Sequence, residues 1–360
     1  MDQGAATQTI LVVDDVAANI DVVKAVLYKD YRVKAALNGE RALEIALSDE
    51  PPDLILLDVQ MPGLSGFDVC RELKSNASSK MIPVIFVTSL DEPADEALGF
   101  EVGGVDYVTK PISPTTVLAR VKTHLALANQ NRELERRVLE RTIELSKTQD
   151  VAIYGLSVLA EYRDDETGAH ILRTREYVRI LANRLMLHPS YKKYLDRETV
   201  ELLYKSSPLH DIGKVGVPDS ILLKPGKLTS QEFDIMKRHA EYGSEVITKA
   251  EAALKVQENL SFLRIAREIT ISHHEKWNGT GYPRALEGEA IPLSGRIMAI
   301  ADVYDALISK RVYKPALPHE KVMGIMAEGM GGHFDPDLFD VFREVSGDFH
   351  RVADELKEAA

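Results

Sequence analysis

The chain has 360 residues, with 44 basic and 56 acidic side chains and a formal charge of −12 when histidine is neutral. That length suits two or three domains rather than one core, and no segment offers the ~20 apolar residues of a membrane span. The acidic balance argues against a nucleic-acid polymer as partner; a lone Cys70 excludes an internal disulfide or thiolate-rich metal site, and the opening MDQGAATQT lacks secretory-signal character, so the expectation is a cytoplasmic protein without membrane association.

Residues 1–8 read as a tail. From 9 to 124, short apolar runs (Ile10–Val13, Leu54–Leu57, Pro83–Val87 and weaker ones near Tyr31–Ala35 and Asp106–Thr109) alternate with helical periodicity over Val16–Leu27, Glu40–Leu47 and Phe67–Lys74. Continuous apolar strands separated by helices predict a doubly wound α/β domain of five parallel strands, flavodoxin-like, whose chemistry collects at the strands' carboxyl ends. Those ends carry Asp14, Asp15, Asp58, Thr88 and Lys110. Three converging carboxylates call for a hard cation such as Mg²⁺, and Lys110 supplies positive charge for an incoming phosphoryl group.

This segment resembles a response-regulator receiver domain, through Asp14-Asp15, Asp58 in LLDVQMPGLSGFD, Thr88 closing VIFVT, and YVTKP. The resemblance implies that Asp58 is the phosphoacceptor, that Asp14, Asp15 and Asp58 hold Mg²⁺, and that Thr88 and Lys110 contact phosphoryl oxygens. It further implies that Tyr107 is the aromatic switch, that Lys110–Pro111 is cis, and that a sensor histidine kinase is the partner.

Residues 125–150 read as a helical connector. Leu127, Leu134 and Arg141 keep one seven-residue spacing and Asn131, Val138 and Leu145 the other. That heptad seam predicts a parallel homodimer, with a solvated single helix as the alternative.

Residues 151–360 show helical periodicity, over Ile171–Leu185, Arg197–Tyr204, Ser230–Lys249 and Leu293–Ile308, and predict an all-α bundle. Glu166 and His170 are four apart on one helical face, His210-Asp211 and His273-His274 are adjacent pairs, and His239 and Asp302 complete the set. Imidazole and carboxylate without thiolate suit Fe, Mn, Ni, Co or Zn, and eight candidates exceed one tetrahedral site, so at least two metals are expected. Lys214, three residues beyond Asp211, projects toward the same centre as a phosphate-binding point charge, and Tyr282 in NGTGYP offers a ring to a base.

HDIGK followed by HHEKWNGTGYP resembles the HD-GYP branch of the HD superfamily of metal-dependent phosphohydrolases. The resemblance implies metal ligation by Glu166, His170, His210, Asp211, His239, His273, His274 and Asp302, with Asp211 bridging. Lys214, Arg311 and Lys314 match phosphate-holding positions, and Gly281, Tyr282 and Pro283 match the loop beside the guanine. Asn278 stands where the family usually has aspartate. Two or three divalent ions, with Fe or Mn favoured, would then hydrolyse cyclic di-GMP to linear pGpG, with GMP the product of any second cut. The alternatives left open are 3',3'-cyclic GMP-AMP as substrate, and a non-catalytic cyclic-dinucleotide sensor or protein-interaction module.

Overall fold

The computed structural model describes residues 8–89, 93–162, 168–254, 262–309 and 316–357. Two compact units divide the chain, Met1–Ile143 and Glu144–Ala360. The division falls inside the stretch read as a connector.

The first unit is a five-stranded parallel sheet of β1 (Thr9–Val13), β2 (Arg32–Ala36), β3 (Leu54–Asp58), β4 (Val84–Thr88) and β5 (Asp106–Thr109), in the order β2-β1-β3-β4-β5. Interleaved helices are α1 (Ala17–Leu27), α2 (Gly39–Ala46), α3 (Gly66–Ser75) and α4 (Pro93–Glu101), and α5 (Pro114–Glu161) follows β5. Alternate side chains of each strand feed two cores. Leu11, Val13, Ile55 and Leu57 pack on one face with α2 and α3, while Ile10, Val12, Leu54 and Leu56 pack on the other with Val23, Val117 and Val121. Burial on both faces explains why these strands are written as unbroken apolar runs. Parallel register sets the strand ends side by side, Val13 opposite Leu57, Asp58 opposite Val87 and Thr88 opposite Thr109.

α5 is one helix of 48 residues, extending past both limits of the expected connector. Its early residues Val117, Val121 and Leu125 are buried in the sheet's core, and its late residue Ile153 packs with Leu209, Ile247 and Ala266. Between them Leu127, Leu134, Val138 and Leu145 are exposed.

The second unit is helical, with α6 (Gly168–Met186), α7 (Arg197–Ser206), α8 (Asp219–Leu222), α9 (Ser230–Lys237), α10 (His239–Leu254), α11 (Phe262–Ser272), α12 (Leu293–Ile308), α13 (His319–Glu328) and α14 (Pro336–Glu355). Its core joins α6, α12 and α14 through Tyr177, Leu181, Met298, Tyr304, Phe342 and Phe349. One expectation is corrected, and one pair is placed. The helix expected over Ser230–Lys249 breaks at Arg238, so that His239 opens a new helix, and His210-Asp211 lies between two 3₁₀ turns, Ser207–Leu209 and Ile212–Gly216, rather than within an α-helix. Both arrangements bring backbones together. A Cβ on Gly213 would meet the His239 carbonyl oxygen at 2.0 Å and the Gly243 nitrogen at 2.4 Å, so only glycine lets the second turn lie against α10. No helix among the described residues is long and apolar enough to cross a membrane.

Candidate functional site

At the carboxyl edge of the sheet, Asp14, Asp15 and Asp58 bring carboxylate oxygens within 4.8 Å of one another. Asp14 and Asp58 are buried and Asp15 is exposed. Lys110 Nζ donates to Asp14 Oδ2 at 3.0 Å and to Asp58 Oδ2 at 2.7 Å. Asp14 also accepts from the Val16 amide at 2.9 Å and from the Asn19 amide group at 2.9 and 3.1 Å. Burial, reinforced by Asp14, pushes the Asp58 carboxyl above its ordinary range against the pull of Lys110. The Lys110 backbone N–H donates to the Thr88 carbonyl at 2.8 Å, and Lys110–Pro111 is cis. Tyr107 lies one strand position before Val108, its ring edge-on to Phe100 at 6.3 Å and beneath the Arg120 guanidinium at 5.7 Å. Asn19 escaped the sequence reading; a helix asparagine carries no signal until the carboxylate it holds is known.

In the helical unit the donors form two lobes on either side of Asp211. Asp211, His239, His273 and His274 offer ligand atoms within 4.8 Å of one another, and so do Glu161, His170 and His210. Asp211 Oδ1 lies 3.3 Å from His239 Nε2 and 3.5 Å from His273 Nε2, whereas its Oδ2 lies 3.4 Å from His210 Nε2. One carboxylate thus addresses both lobes. Asp302 Oδ1 is 3.9 Å from His170 Nε2, on the second. Lys214 Nζ sits 2.9 Å from Asp211 Oδ2, one 3₁₀ turn along, as its spacing predicts.

The rings are aimed by their outer nitrogens. Nδ1–H of His210 donates to the Ser207 carbonyl at 3.0 Å, that of His239 to Met236 at 2.7 Å, and that of His273 to Ile269 and Thr270 at 3.1 Å each. His170 Nδ1–H donates to Asp305 Oδ2 at 2.8 Å. A carbonyl or carboxylate only accepts, so these bonds fix the Nδ1–H tautomer and leave each Nε2 lone pair turned inward. His170 Nε2 and His210 Nε2 then face each other at 3.4 Å. Asp211 Oδ1, His239 Nε2 and His273 Nε2 are buried with no hydrogen-bond partner. Converging lone pairs on nitrogen and oxygen, without thiolate, fit divalent metal ions.

Electrostatics agree with that fit at His239 and His274, whereas Asp211 draws the His210 ring upward against its burial. Burial alone would raise the Asp211 carboxyl, but the Lys214 ammonium beside it acts to hold it well below its ordinary range. Burial lowers His239, and burial with His273 and His239 nearby drives His274 well down, which keeps both rings neutral as ligands.

Asp305 was not among the residues singled out from the sequence. Its carboxylate receives Arg173 Nε at 2.7 Å and Arg173 Nη2 at 2.9 Å in a bidentate pair, besides His170. Burial opposes ionisation, yet Arg173 and His170 hold it at about 2. The available signal was spacing: Asp305 is three residues beyond Asp302, and Arg173 three beyond His170, each on its partner's helical face. Glu161 and Glu275 also escaped notice. Glu275 is buried and accepts from the Arg284 and Leu286 amides at 2.7 and 3.0 Å, pinning the loop that carries Gly281, Tyr282 and Pro283. A Cβ on Gly281 would meet the Lys276 nitrogen at 2.3 Å, so this loop lies close against the His273-His274 turn. The Tyr282 ring packs 4.7 Å from the His274 ring, beside the first lobe. Asn278 Oδ1 accepts from Thr280 N and Oγ1 at 3.1 and 2.7 Å, a role that aspartate would fill equally. Glu166, Arg311 and Lys314 lie outside the described residues.

Two family models match the chain, a response regulator receiver domain over residues 10–122 and an HD domain over residues 170–338. A protein of Vibrio cholerae named probable cyclic di-GMP phosphodiesterase is 48% identical over 97% of this chain and 80% of its own length. The cyclic di-GMP phosphodiesterase response regulator RpfG of Xanthomonas campestris pv. campestris is 35% identical over 86% of this chain and 79% of its own length. A 3'3'-cGAMP-specific phosphodiesterase 2 of Vibrio cholerae is 40% identical over 60% of this chain and 38% of its own length. With the sheet order of a receiver and a histidine-lined helical site in one polypeptide, the chain belongs to the response regulators that join a receiver domain to an HD domain, whose named members include cyclic di-GMP phosphodiesterases.

Proposed function

We propose that the protein is a phosphorylation-controlled phosphodiesterase that opens cyclic di-GMP to linear pGpG. The observation that carries the reading is Asp211, one carboxylate with an oxygen directed at each of two histidine lobes. His239, His273 and His274 would hold an ion in the first lobe, His170, His210 and Asp302 one in the second, and Asp211 would bridge them. Divalent ions held there supply Lewis acidity toward a phosphodiester oxygen and lower the pKa of a water.

The chain's own groups do the positioning. The carbonyls of Ser207, Met236, Ile269 and Thr270 keep the imidazoles in one tautomer and orientation. Lys214 adds a cation at the Asp211 edge, suited to the charge that develops on phosphoryl oxygens. Tyr282, on a loop held by Glu275, offers an aromatic wall to a base. Asp58, with Lys110 at 2.7 Å, would accept the phosphoryl group from a sensor histidine kinase, with Mg²⁺ at Asp14, Asp15 and Asp58. The exposed heptad positions Leu127, Leu134, Val138 and Leu145 support a homodimer along α5, which sedimentation with and without a phosphoryl mimic would test.

The 40% identical cGAMP-specific relative favours 3',3'-cyclic GMP-AMP as a second substrate reading, since an aromatic wall stacks on either purine. Anaerobically prepared protein, analysed for metal and assayed on both cyclic dinucleotides with and without beryllofluoride, tests both readings. Asp211→Ala should lower kcat/KM by at least on the order of 10³-fold and reduce bound metal. Full turnover with that variant, or nucleotide binding without product in the metal-replete protein, would overturn the enzymatic reading.

A further inference from the structure

Helix α5 ends on Glu161, a glutamate with only 2% of its surface exposed. Its carboxylate, His170 and His210 offer ligand atoms that all lie within 4.8 Å of one another. The two imidazoles are held with Nδ1–H donated to Asp305 and to the Ser207 carbonyl, and their Nε2 atoms face each other at 3.4 Å. We propose that Glu161 is a ligand of the second-lobe ion, alongside His170, His210, Asp302 and the bridging Asp211.

The inference rests on the metal-centre reading above and adds to it a residue that neither motif contains. A cation at the mouth of His170 and His210 would face the two Nε2 atoms that oppose each other at 3.4 Å, within reach of the Glu161 carboxylate. Glutamate, aspartate and two imidazoles form a mixed oxygen and nitrogen donor set suited to Fe²⁺ or Mn²⁺. Because Glu161 is the terminal residue of α5, its reach toward the ion depends on where that helix lies. One residue of axial shift moves a helical side chain by about 1.5 Å, a large fraction of a metal–oxygen bond of about 2.0–2.2 Å. Occupancy of the second lobe is therefore sensitive to the position of α5 through a direct ligand.

The test is a titration of chelator-stripped, full-length protein with Mn²⁺ under anaerobic conditions, carrying Asp14→Ala and Asp58→Ala throughout so that the receiver carboxylates add no ion to the count, with free ion read by electron paramagnetic resonance and bound ion by elemental analysis. Wild type is expected to bind at least two ions. Glu161→Gln, isosteric and uncharged, is expected to lose one ion or to hold the weaker one at least about tenfold less tightly, with the tighter site unchanged. Glu161→Asp, which keeps the charge and shortens the reach, is expected to weaken the same site and guards against a glutamine variant that fails to fold. Circular dichroism establishes folding in each case. Folded Glu161→Gln or Glu161→Asp with wild-type stoichiometry and both wild-type affinities overturns the proposal and leaves the metal centre standing. Wild type that binds fewer than two ions overturns both.

Discussion

In the receiver one cation, Lys110 Nζ, bridges Asp14 and Asp58 at 3.0 and 2.7 Å, whereas at Asp211 one cation among the described residues, Lys214 Nζ at 2.9 Å, touches the Oδ2 edge and Oδ1 faces imidazole nitrogens. The first pocket is a balanced hydrogen-bonded set with an exposed member, Asp15, at its rim. The second is held from behind, each ring fastened by its outer nitrogen so that the inner ones converge. Under the proposed function, the first pocket would take Mg²⁺ and a phosphoryl group as transient cargo, and the second would keep its ions.

That contrast can be broken most sharply at the receiver. Asp58→Asn should abolish phosphoryl uptake from acetyl phosphate, and Lys110→Ala should slow it by about 10²–10³-fold, both read on phosphate-affinity gels. Unchanged uptake in Lys110→Ala would mean that the internal cation is incidental. On the helical side, Asp305→Asn removes the partner of buried Arg173 and the orienter of His170. It should cost about 3–5 kcal/mol in a denaturant melt and weaken metal binding by about 10–100-fold. Asp305 is held at about 2, below an unfolded aspartate at about 3.9. The unfolded chain therefore takes up the proton first on acidification, and the stability difference between wild type and variant should be complete above about pH 5 and shrink by about 2–2.5 kcal/mol as the pH falls to 2. A difference unchanged at pH 2 would deny that the ionised carboxylate is what matters.

A smaller effect is expected from Gly213→Ala, whose Cβ would meet the His239 carbonyl at 2.0 Å. Overpacking of about 1–3 kcal/mol, with metal lost from the first lobe, is the expected outcome; a neutral melt would show that the turn and α10 can separate freely. Asn278→Asp should be smallest, within about 0.5 kcal/mol, because either side chain accepts from Thr280. A larger loss would give the Asn278 amide group a role beyond that turn.

The receiver was legible almost throughout, since strands buried on both faces are spelled as unbroken apolar runs and parallel register delivers Asp14, Asp58, Thr88 and Lys110 to one edge. In the helical unit the histidines were legible by residue type, because His-Asp and His-His beside further histidines have no ordinary packing role. The break at Arg238 was not, since no glycine or proline marks it; His239, just beyond it, is where Gly213 makes its close approach. Glu161 and Asp305 were hidden for another reason. A single carboxylate on an amphipathic helix reads as part of the solvated face until tertiary packing buries it, even where, as for Glu161 after VAIYGLSVLA and Asp305 in ADVYDALI, its neighbours are mostly apolar.

Cys70 is fully buried against the sheet, its thiol pushed by burial to about 11. At neutral pH such a sulfur is almost entirely protonated and shielded from alkylating reagents. The wild-type chain is thus a silent background for thiol labelling, and a single cysteine placed at exposed Val138 would be its sole reactive handle. A spin label or fluorophore there could report separations along α5 directly, without first removing a native residue from the core.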